Sequence, residues 1–162
     1  MMKSNQAHWD KVFSRTKDPE LGWYEANATQ TMELLNTIPE WESSTVFLPG
    51  AGTSVLVEAL LSKEVRLVLN DISMEALNRV KERLSDEYEK VVWLCQDIGQ
   101  PIKESLPTID IWIDRAVLHF LTDRGDIRGY CENLRTLLKP GGYAIFAEFS
   151  ECGGSIKNYT FK

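Results

Sequence analysis

The sequence predicts a doubly wound α/β fold with a mostly parallel sheet. Short runs rich in β-branched and aromatic residues alternate with helical patterns along the middle of the chain. Several of these runs are apolar without alternation, as in strands that are covered on both faces. This order implies right-handed crossovers between parallel strands. We expect a single domain over residues 1–162, made of an N-terminal helical cover (1–40), an α/β core (41–150) and a shortened tail (151–162) with an incomplete set of C-terminal strands.

The elements of the core follow one another in regular order. The strands are predicted at 45–48, 65–70, 91–96, 109–113 and 142–149. Helices are predicted at 53–63, 74–88 and 123–138, with Ser73 and Thr122 as N-caps of the second and third. The Lys-Pro-Gly-Gly segment 139–142 ends the last helix and turns the chain into the fifth strand. Residues 4–38 also have a helical pattern.

Composition excludes several classes of function. The net charge is −6, and basic residues are interleaved with acidic ones, so no basic face exists to bind nucleic acid. No apolar run approaches the roughly 20 residues of a membrane span, and the N-terminus lacks a secretory pattern. Cys95, Cys131 and Cys152 are scattered and form no metal-ligating cluster with the histidines. Free thiols of this kind indicate a cytoplasmic protein without a metal.

Two signals point to a nucleotide-type ligand. The first predicted strand runs into Gly50-Ala51-Gly52 and then a helix, where glycine lets the backbone approach a ligand. Asp71 ends the second strand, where a carboxylate can accept both hydroxyl protons of a ribose. A tight turn without a ligand and a helix cap are the alternative roles of these two features. Together they fall at the carboxyl edge of adjacent strands, where open α/β sheets bind ligands.

Two further positions refine the ligand. Asp97 follows the third strand and can accept the adenine amino proton, while Ile98 packs on the ring. The alternative is that Asp97 is an ordinary surface carboxylate at a strand end. Dinucleotide sites need a third glycine under the pyrophosphate, and Val55 stands there instead. A ligand without a pyrophosphate does not need that glycine.

Residues 114–123 read D-R-A-V-L-H-F-L-T-D and follow the fourth strand. With His8-Trp9-Asp10, Trp23-Tyr24, the D-I-S of 71–73 and the L-K-P-G-G of 138–142, the chain resembles bacterial class I S-adenosylmethionine-dependent methyltransferases over roughly residues 8–150. The resemblance implies a Rossmann-like class I methyltransferase fold with S-adenosylmethionine as cofactor and S-adenosylhomocysteine as product. The methyl acceptor is expected to be a small molecule or a protein, with neither nucleic acid nor a membrane as partner.

The resemblance also implies a role for each matching residue. Gly50, Ala51 and Gly52 line the methionine end, Asp71 holds the ribose and Ile72 lies beside the adenine. Asp97 and Ile98 hold the adenine edge, Asp114 and Arg115 face the transferring methyl, and Trp23 and Tyr24 belong to the cover.

Catalytic residues are less well specified by the sequence. Asp114 and His119 are the candidates for a general base, with a capping role and a structural role as their alternatives. Trp9, Trp23 and Tyr24 fit a hydrophobic core as well as an active-site cover. Leu48 stands where many class I enzymes carry an acid that holds the cofactor's ammonium group. A binding module without catalysis and a nicotinamide-dependent oxidoreductase remain competing functions.

Overall fold

The computed structural model describes residues 5–149 and 156–161 and shows one six-stranded sheet with the order β3-β2-β1-β4-β5-β6. The strands are β1 Thr45–Leu48, β2 Arg66–Asp71, β3 Val91–Cys95, β4 Ile109–Arg115, β5 Leu138–Phe149 and β6 Ile156–Phe161. The first five are parallel, and β6 pairs antiparallel with β5. The predicted doubly wound, mostly parallel sheet is therefore confirmed.

Helices cover both faces of the sheet. They are α1 Gln6–Arg15, α2 Thr29–Leu35, α3 Leu56–Leu61, α4 Met74–Leu84 and α5 Arg124–Leu137. The helices α2, α3 and α4 pack on one face, and α5 packs on the other. Successive residues of β1 accordingly enter different cores: Val46 and Leu48 join the first, and Phe47 joins the second. No helix within the described residues combines the length and apolarity needed to cross a bilayer.

Several element boundaries differ from the prediction. The first core helix is shorter than 53–63, because residues up to Val55 form the turn that follows β1. Asp123, not Thr122, is the N-cap of α5; its carboxylate accepts hydrogen bonds from Gly125 N and Asp126 N at 2.8 and 3.2 Å. The predicted helix at 4–38 is two helices, since residues 16–28 form a 3₁₀ turn and loop.

The segment 139–142 lies inside β5 as an irregularity. Leu138 pairs with Ile109, and Tyr143 pairs with Ile111, so the residues between them bulge out of register. Gly141 has a φ of +77°, which suits glycine at this bend.

Helix α1 docks on the start of α4 through polar contacts. Asp10 accepts a hydrogen bond from Ser73 Oγ at 2.7 Å and one from Glu75 N at 3.2 Å. Ser73 in turn accepts from Ala76 N at 3.1 Å, which confirms it as the N-cap of α4. Arg79 of α4 donates to Phe13 O at the other end of α1. The cover is thus fixed to the helix that follows Asp71.

Candidate functional site

The glycine turn after β1 is held in place by the tip of β2. Gly50 and Gly52 have φ values of +49° and +54°, which favour glycine at both positions. A Cβ at Gly50 would lie 2.3 Å from Val117 Cγ2. Ala51 N donates to Asn70 O at 2.8 Å. Gly50, Ala51 and Gly52 all line the open space above the carboxyl ends of the strands.

Asp71 is a buried carboxylate at the tip of β2, only 5% exposed. Its Oδ2 accepts from Gly52 N at 2.7 Å, and its Oδ1 accepts from Ser73 N at 2.8 Å. Burial raises the pKa of Asp71 to about 6, against the lowering effect of these backbone hydrogen bonds. Each carboxylate oxygen has a further lone pair with which to accept a ligand hydroxyl.

A crevice of about 510 Å³ opens across the carboxyl tips of the parallel strands. Its volume is in the range of ligand pockets. Ten of the cofactor-binding residues expected from the sequence line it: Trp23, Tyr24, Gly50, Ala51, Gly52, Asp71, Ile72, Asp97, Ile98 and Arg115. Because the strand order is β3-β2-β1-β4, Asp97, Asp71, the glycine turn and Arg115 follow one another along the crevice.

Asp114, which was expected to face the transferring methyl, is not among the residues that line the crevice. Its carboxylate is fully buried and accepts hydrogen bonds from Val117 N at 2.8 Å and Leu118 N at 3.2 Å. It also accepts from Tyr130 Oη at 2.5 Å, and Tyr130 Oη accepts from Trp112 Nε1 at 2.9 Å. Burial raises the pKa of Asp114 to about 6. The capping role weighed in the sequence analysis describes this residue.

His119 also lies outside the crevice lining. It belongs to a 3₁₀ turn, Leu118–Phe120, and its ring contacts that of Phe120 edge-on with centroids 5.6 Å apart. Neither candidate base suggested by the sequence is therefore among the residues that line the crevice.

An aromatic cluster closes one side of the crevice. The rings of Trp9, Trp23 and Phe120 meet edge to face, with centroid separations of 5.2 to 5.6 Å. Phe13 extends the cluster to the glycine turn, where its ring lies 3.4 Å from the position of a Cβ on Gly52. Trp9 and Trp23 thus serve as core and as crevice wall together. Phe120 was not singled out from the sequence, although it belongs to the 114–123 segment.

Arg115 and Glu25 form an ion pair in the crevice wall. Their side chains are 13% and 22% exposed, and burial lowers the pKa of Arg115 to about 10. Arg115 Nη1 also donates to Ser54 Oγ at 3.1 Å. Sequence reasoning missed Glu25, because it follows Trp23-Tyr24 without a pattern that connects it to β4.

Residues 49–144 match the family model described as a methyltransferase domain. The chain belongs to this methyltransferase-domain family. The matched stretch contains the glycine turn, Asp71, Asp97 and Arg115. The broad methyltransferase family predicted from the sequence is therefore confirmed.

Relatives of this methyltransferase domain differ widely in size. The chain is 25% identical over 148 residues to the reducing polyketide synthase Preu2 of Preussia isomera, a match that covers 88% of this chain and 6% of that protein. It is 28% identical over 97 residues to nodulation protein S of Sinorhizobium fredii, covering 60% of this chain and 44% of that one. The chain thus spans less than half the length of these relatives.

The fold recurs in a structure of phosphoethanolamine N-methyltransferase 1 of Haemonchus contortus, in complex with phosphoethanolamine and S-adenosylhomocysteine. The TM-score is 0.71 and the sequence identity is 17%, with 90% of this chain and 31% of that chain covered. This likeness supports the Rossmann-like class I methyltransferase fold.

Proposed function

We propose that the chain binds S-adenosylmethionine in the crevice and transfers its methyl group to a small-molecule or protein acceptor. The observation that carries the proposal is the row of Asp97, Asp71 and the glycine turn along one open crevice. Adenosine needs an apolar slot for the base and a carboxylate for the ribose, and this row offers both. The match to a methyltransferase-domain family supports the same ligand.

Each residue of the row is expected to contact a different part of the cofactor. Asp71 accepts the ribose hydroxyl protons, Ile72 and Ile98 enclose the adenine, and Asp97 accepts its amino proton. The backbone of the glycine turn lies along the methionine end. When bound, S-adenosylmethionine supplies an electrophilic methyl group on a sulfonium sulfur.

The chain's own contribution to the reaction is orientation and exclusion of water. The aromatic cluster of Trp9, Trp23 and Phe120 lines the crevice together with Tyr24 and keeps water away from that part of it. Dry surroundings favour a reaction in which positive charge disperses. Alignment of donor and acceptor can supply roughly 7–11 kcal/mol of the acceleration in favourable cases. An acceptor that arrives unprotonated needs no general base.

The finer assignments belong to the same proposal. The D-R-A-V-L-H-F-L-T-D sequence of 114–123 supports a place among the bacterial class I enzymes with this segment. We propose that residues 1–40 act as the cover of one domain whose core is 41–150. The acidic net charge of −6 supports an acceptor other than nucleic acid. Free Cys95 and Cys131 support a cytoplasmic location.

The cofactor is tested by thermal unfolding with S-adenosylhomocysteine and, separately, with NAD. A ligand that binds only the folded chain stabilises it by about 2.7 kcal/mol at a hundredfold excess over its dissociation constant. We expect this shift with S-adenosylhomocysteine alone. A shift with NAD and none with S-adenosylhomocysteine would reverse the assignment in favour of an oxidoreductase.

Catalysis is tested by incorporation of a labelled methyl group from S-adenosylmethionine into proteins or metabolites of a cell extract. Label in either fraction identifies the class of acceptor. Cofactor binding without incorporation into any fraction would favour a binding module that no longer transfers methyl groups.

A further inference from the structure

A carboxylate of the N-terminal cover contacts the turn that follows β1. Asp18 belongs to the 3₁₀ turn Asp18–Glu20, between α1 and α2. Its Oδ1 accepts a hydrogen bond from Thr53 Oγ1 at 2.8 Å and another from Arg79 Nη1 at 3.1 Å. Arg83 Nη1 lies 3.9 Å from its Oδ2. This one carboxylate therefore joins the cover both to the turn after β1 and to helix α4.

The two arginines of α4 bind backbone carbonyl groups of the segments that Asp18 joins. They are four positions apart and so lie on the same face of the helix. Arg79 donates to Thr16 O at 3.3 Å, directly after the end of α1. Arg83 donates to Thr53 O and to Ser54 O, each at 3.0 Å. Helix α4 thus contacts the cover with one guanidinium group and the turn after β1 with the other.

Thr53 connects this network to the carboxylate at the tip of β2. It is 7% exposed and lines the crevice. The residue before it, Gly52, donates its N–H to Asp71 Oδ2 at 2.7 Å. The other oxygen of Asp71 accepts from Ser73 N, and the hydroxyl of the same serine donates to a carboxylate of α1. The cover therefore contacts both segments whose N–H groups bind Asp71.

The contacts of Asp18 form a network that is partly shielded from water. The side chains of Asp18, Arg79 and Arg83 are 30%, 29% and 31% exposed. An isolated exposed ion pair contributes little to stability, whereas a network of several charges contributes more. Loss of this carboxylate would remove the anion between two guanidinium groups and the acceptor of the Thr53 hydroxyl together. The loss would fall on the cover and on the turn after β1 at once.

We propose that Asp18 is a positioning residue that couples the cover to the turn after β1, so that the two segments dock and open together around the cofactor; this rests on the proposed function. The cover supplies Trp9 and Trp23 to the crevice lining, and the turn supplies 50–54. A ligand that contacts both segments stabilises their docked arrangement, and by linkage the docked arrangement retains the ligand. Asp18 is not among the residues that line the crevice, so it acts through Thr53 and the cover.

Hydrogen exchange of the unliganded chain, followed by NMR, tests the coupling. The amide of Tyr24, which donates to Leu21 O, reports on the cover, and the amide of Gly52 reports on the turn. We expect Asp18→Ala to speed exchange at both amides about tenfold or more, relative to any change at the amides of β2. Thr53→Val removes the hydroxyl from the turn and should also speed exchange at Tyr24. The double variant should exceed the larger single effect by less than about twofold, because both changes remove one contact.

A matched control and a milder variant accompany these changes. Glu20 lies in the same 3₁₀ turn, is exposed and accepts a local backbone hydrogen bond, so Glu20→Ala should leave exchange at Gly52 unchanged. Asp18→Asn covers the case in which the alanine variant does not fold. It keeps an oxygen for the Thr53 hydroxyl but loses the charge, so its smaller effect should fall on the same two amides.

Three exchange patterns have different meanings. Faster exchange at Tyr24 and Gly52 beyond that in β2 supports the coupling. Faster exchange at Tyr24 alone would show that Asp18 orders only its own segment, and would overturn the inference. Equal acceleration at both amides and in β2 would show a loss of global stability alone, and would overturn it as well.

Release of S-adenosylhomocysteine, measured by stopped flow, links the coupling to the cofactor. Dissociation should be about tenfold faster from Asp18→Ala than from wild type, and Glu20→Ala should match wild type. Equal release rates from all variants would overturn the inference while the cofactor site stands. Failure of wild type to bind S-adenosylhomocysteine would overturn the proposed function and the inference with it.

Discussion

Replacement of Asp71 by asparagine should separate the stability of the chain from its affinity for adenosine. Burial raises the pKa of this carboxyl from 3.8 to about 6, which corresponds to a cost of about 3 kcal/mol for holding the charge in the folded state at neutral pH. The amide removes that cost but can accept only one of the two backbone hydrogen bonds, from Gly52 and Ser73, at a loss of about 1–3 kcal/mol. The free energy of unfolding of the variant should therefore lie within about 2 kcal/mol of the wild-type value at pH 7.5.

Ligand affinity should respond in a different way. A ribose that loses its charged acceptor should bind about 1.5–3 kcal/mol more weakly, or roughly 10- to 150-fold. Wild-type affinity for S-adenosylhomocysteine should also fall below about pH 6, where Asp71 gains a proton. The Asp71→Asn variant should not share that fall. Calorimetric titration between about pH 5 and 8 measures both effects, and the exposed Asp86, replaced by asparagine, provides a control for the charge change.

The pH dependence of the unliganded chain gives an independent check. Below about pH 4 Asp71 is protonated in both the folded and the unfolded chain. Between about pH 4 and 6 only the folded chain holds the proton, so the free energy of unfolding falls as pH rises through this window. In Asp71→Asn this part of the pH dependence of the free energy of unfolding should be absent. The part caused by Asp114, whose pKa is also raised to about 6, should remain. An affinity that is unchanged by the substitution and flat with pH would refute the ribose role.

Two further substitutions test the packing that places the site. A Cβ at Gly129 of α5 would lie 1.8 Å from the carbonyl oxygen of Gly99, so Gly129→Ala should lower the free energy of unfolding by about 3 kcal/mol in urea titrations. Gly22→Ala is its control, because a Cβ at Gly22 would have no atom within 4 Å. Equal free energies of unfolding for the two variants would mean that α5 does not approach the loop that contains Gly99. Tyr130→Phe leaves a buried carboxylate and a buried indole N–H each short of a partner and should cost about 3–5 kcal/mol. Tyr88→Phe, at an exposed tyrosine, should cost under about 0.5 kcal/mol; a similar loss in both would contradict the network.

Much of the fold follows from local sequence patterns. The apolar runs that became β1 to β4 are recognisable because both faces of a parallel sheet are buried, which leaves little room for polar residues. The ends of the helices were predicted less accurately, as the expected N-cap Thr122 shows. Thr122 and Asp123 can both cap a helix, and the backbone geometry that selects Asp123 is not visible in the sequence.

The residues of the candidate site were likewise predictable only in part. The glycine turn and Asp71 were predictable, since a strand tip, a Gly-x-Gly turn and an acid at a second strand tip are short-range features. Asp114 and Arg115 were not distinguishable, because both residues end β4 and only the surrounding elements decide which side chain enters the crevice. Helix α5 supplies Tyr130 as a partner for Asp114 and thereby retains it in the core.

The sequence by itself determined the alternation of strands and helices, the glycine turn and the carboxylate at the tip of β2, since each depends on neighbours close along the chain. Tertiary structure alone decided that Glu25 meets Arg115 and that Asp114 is a buried cap. Glu25 and Arg115 are far apart in sequence, as are Asp114 and Tyr130, and no local periodicity encodes these two contacts. Docking of α1 on α4 holds the N-terminal segment from which Glu25 reaches Arg115, and α5 brings Tyr130 to Asp114.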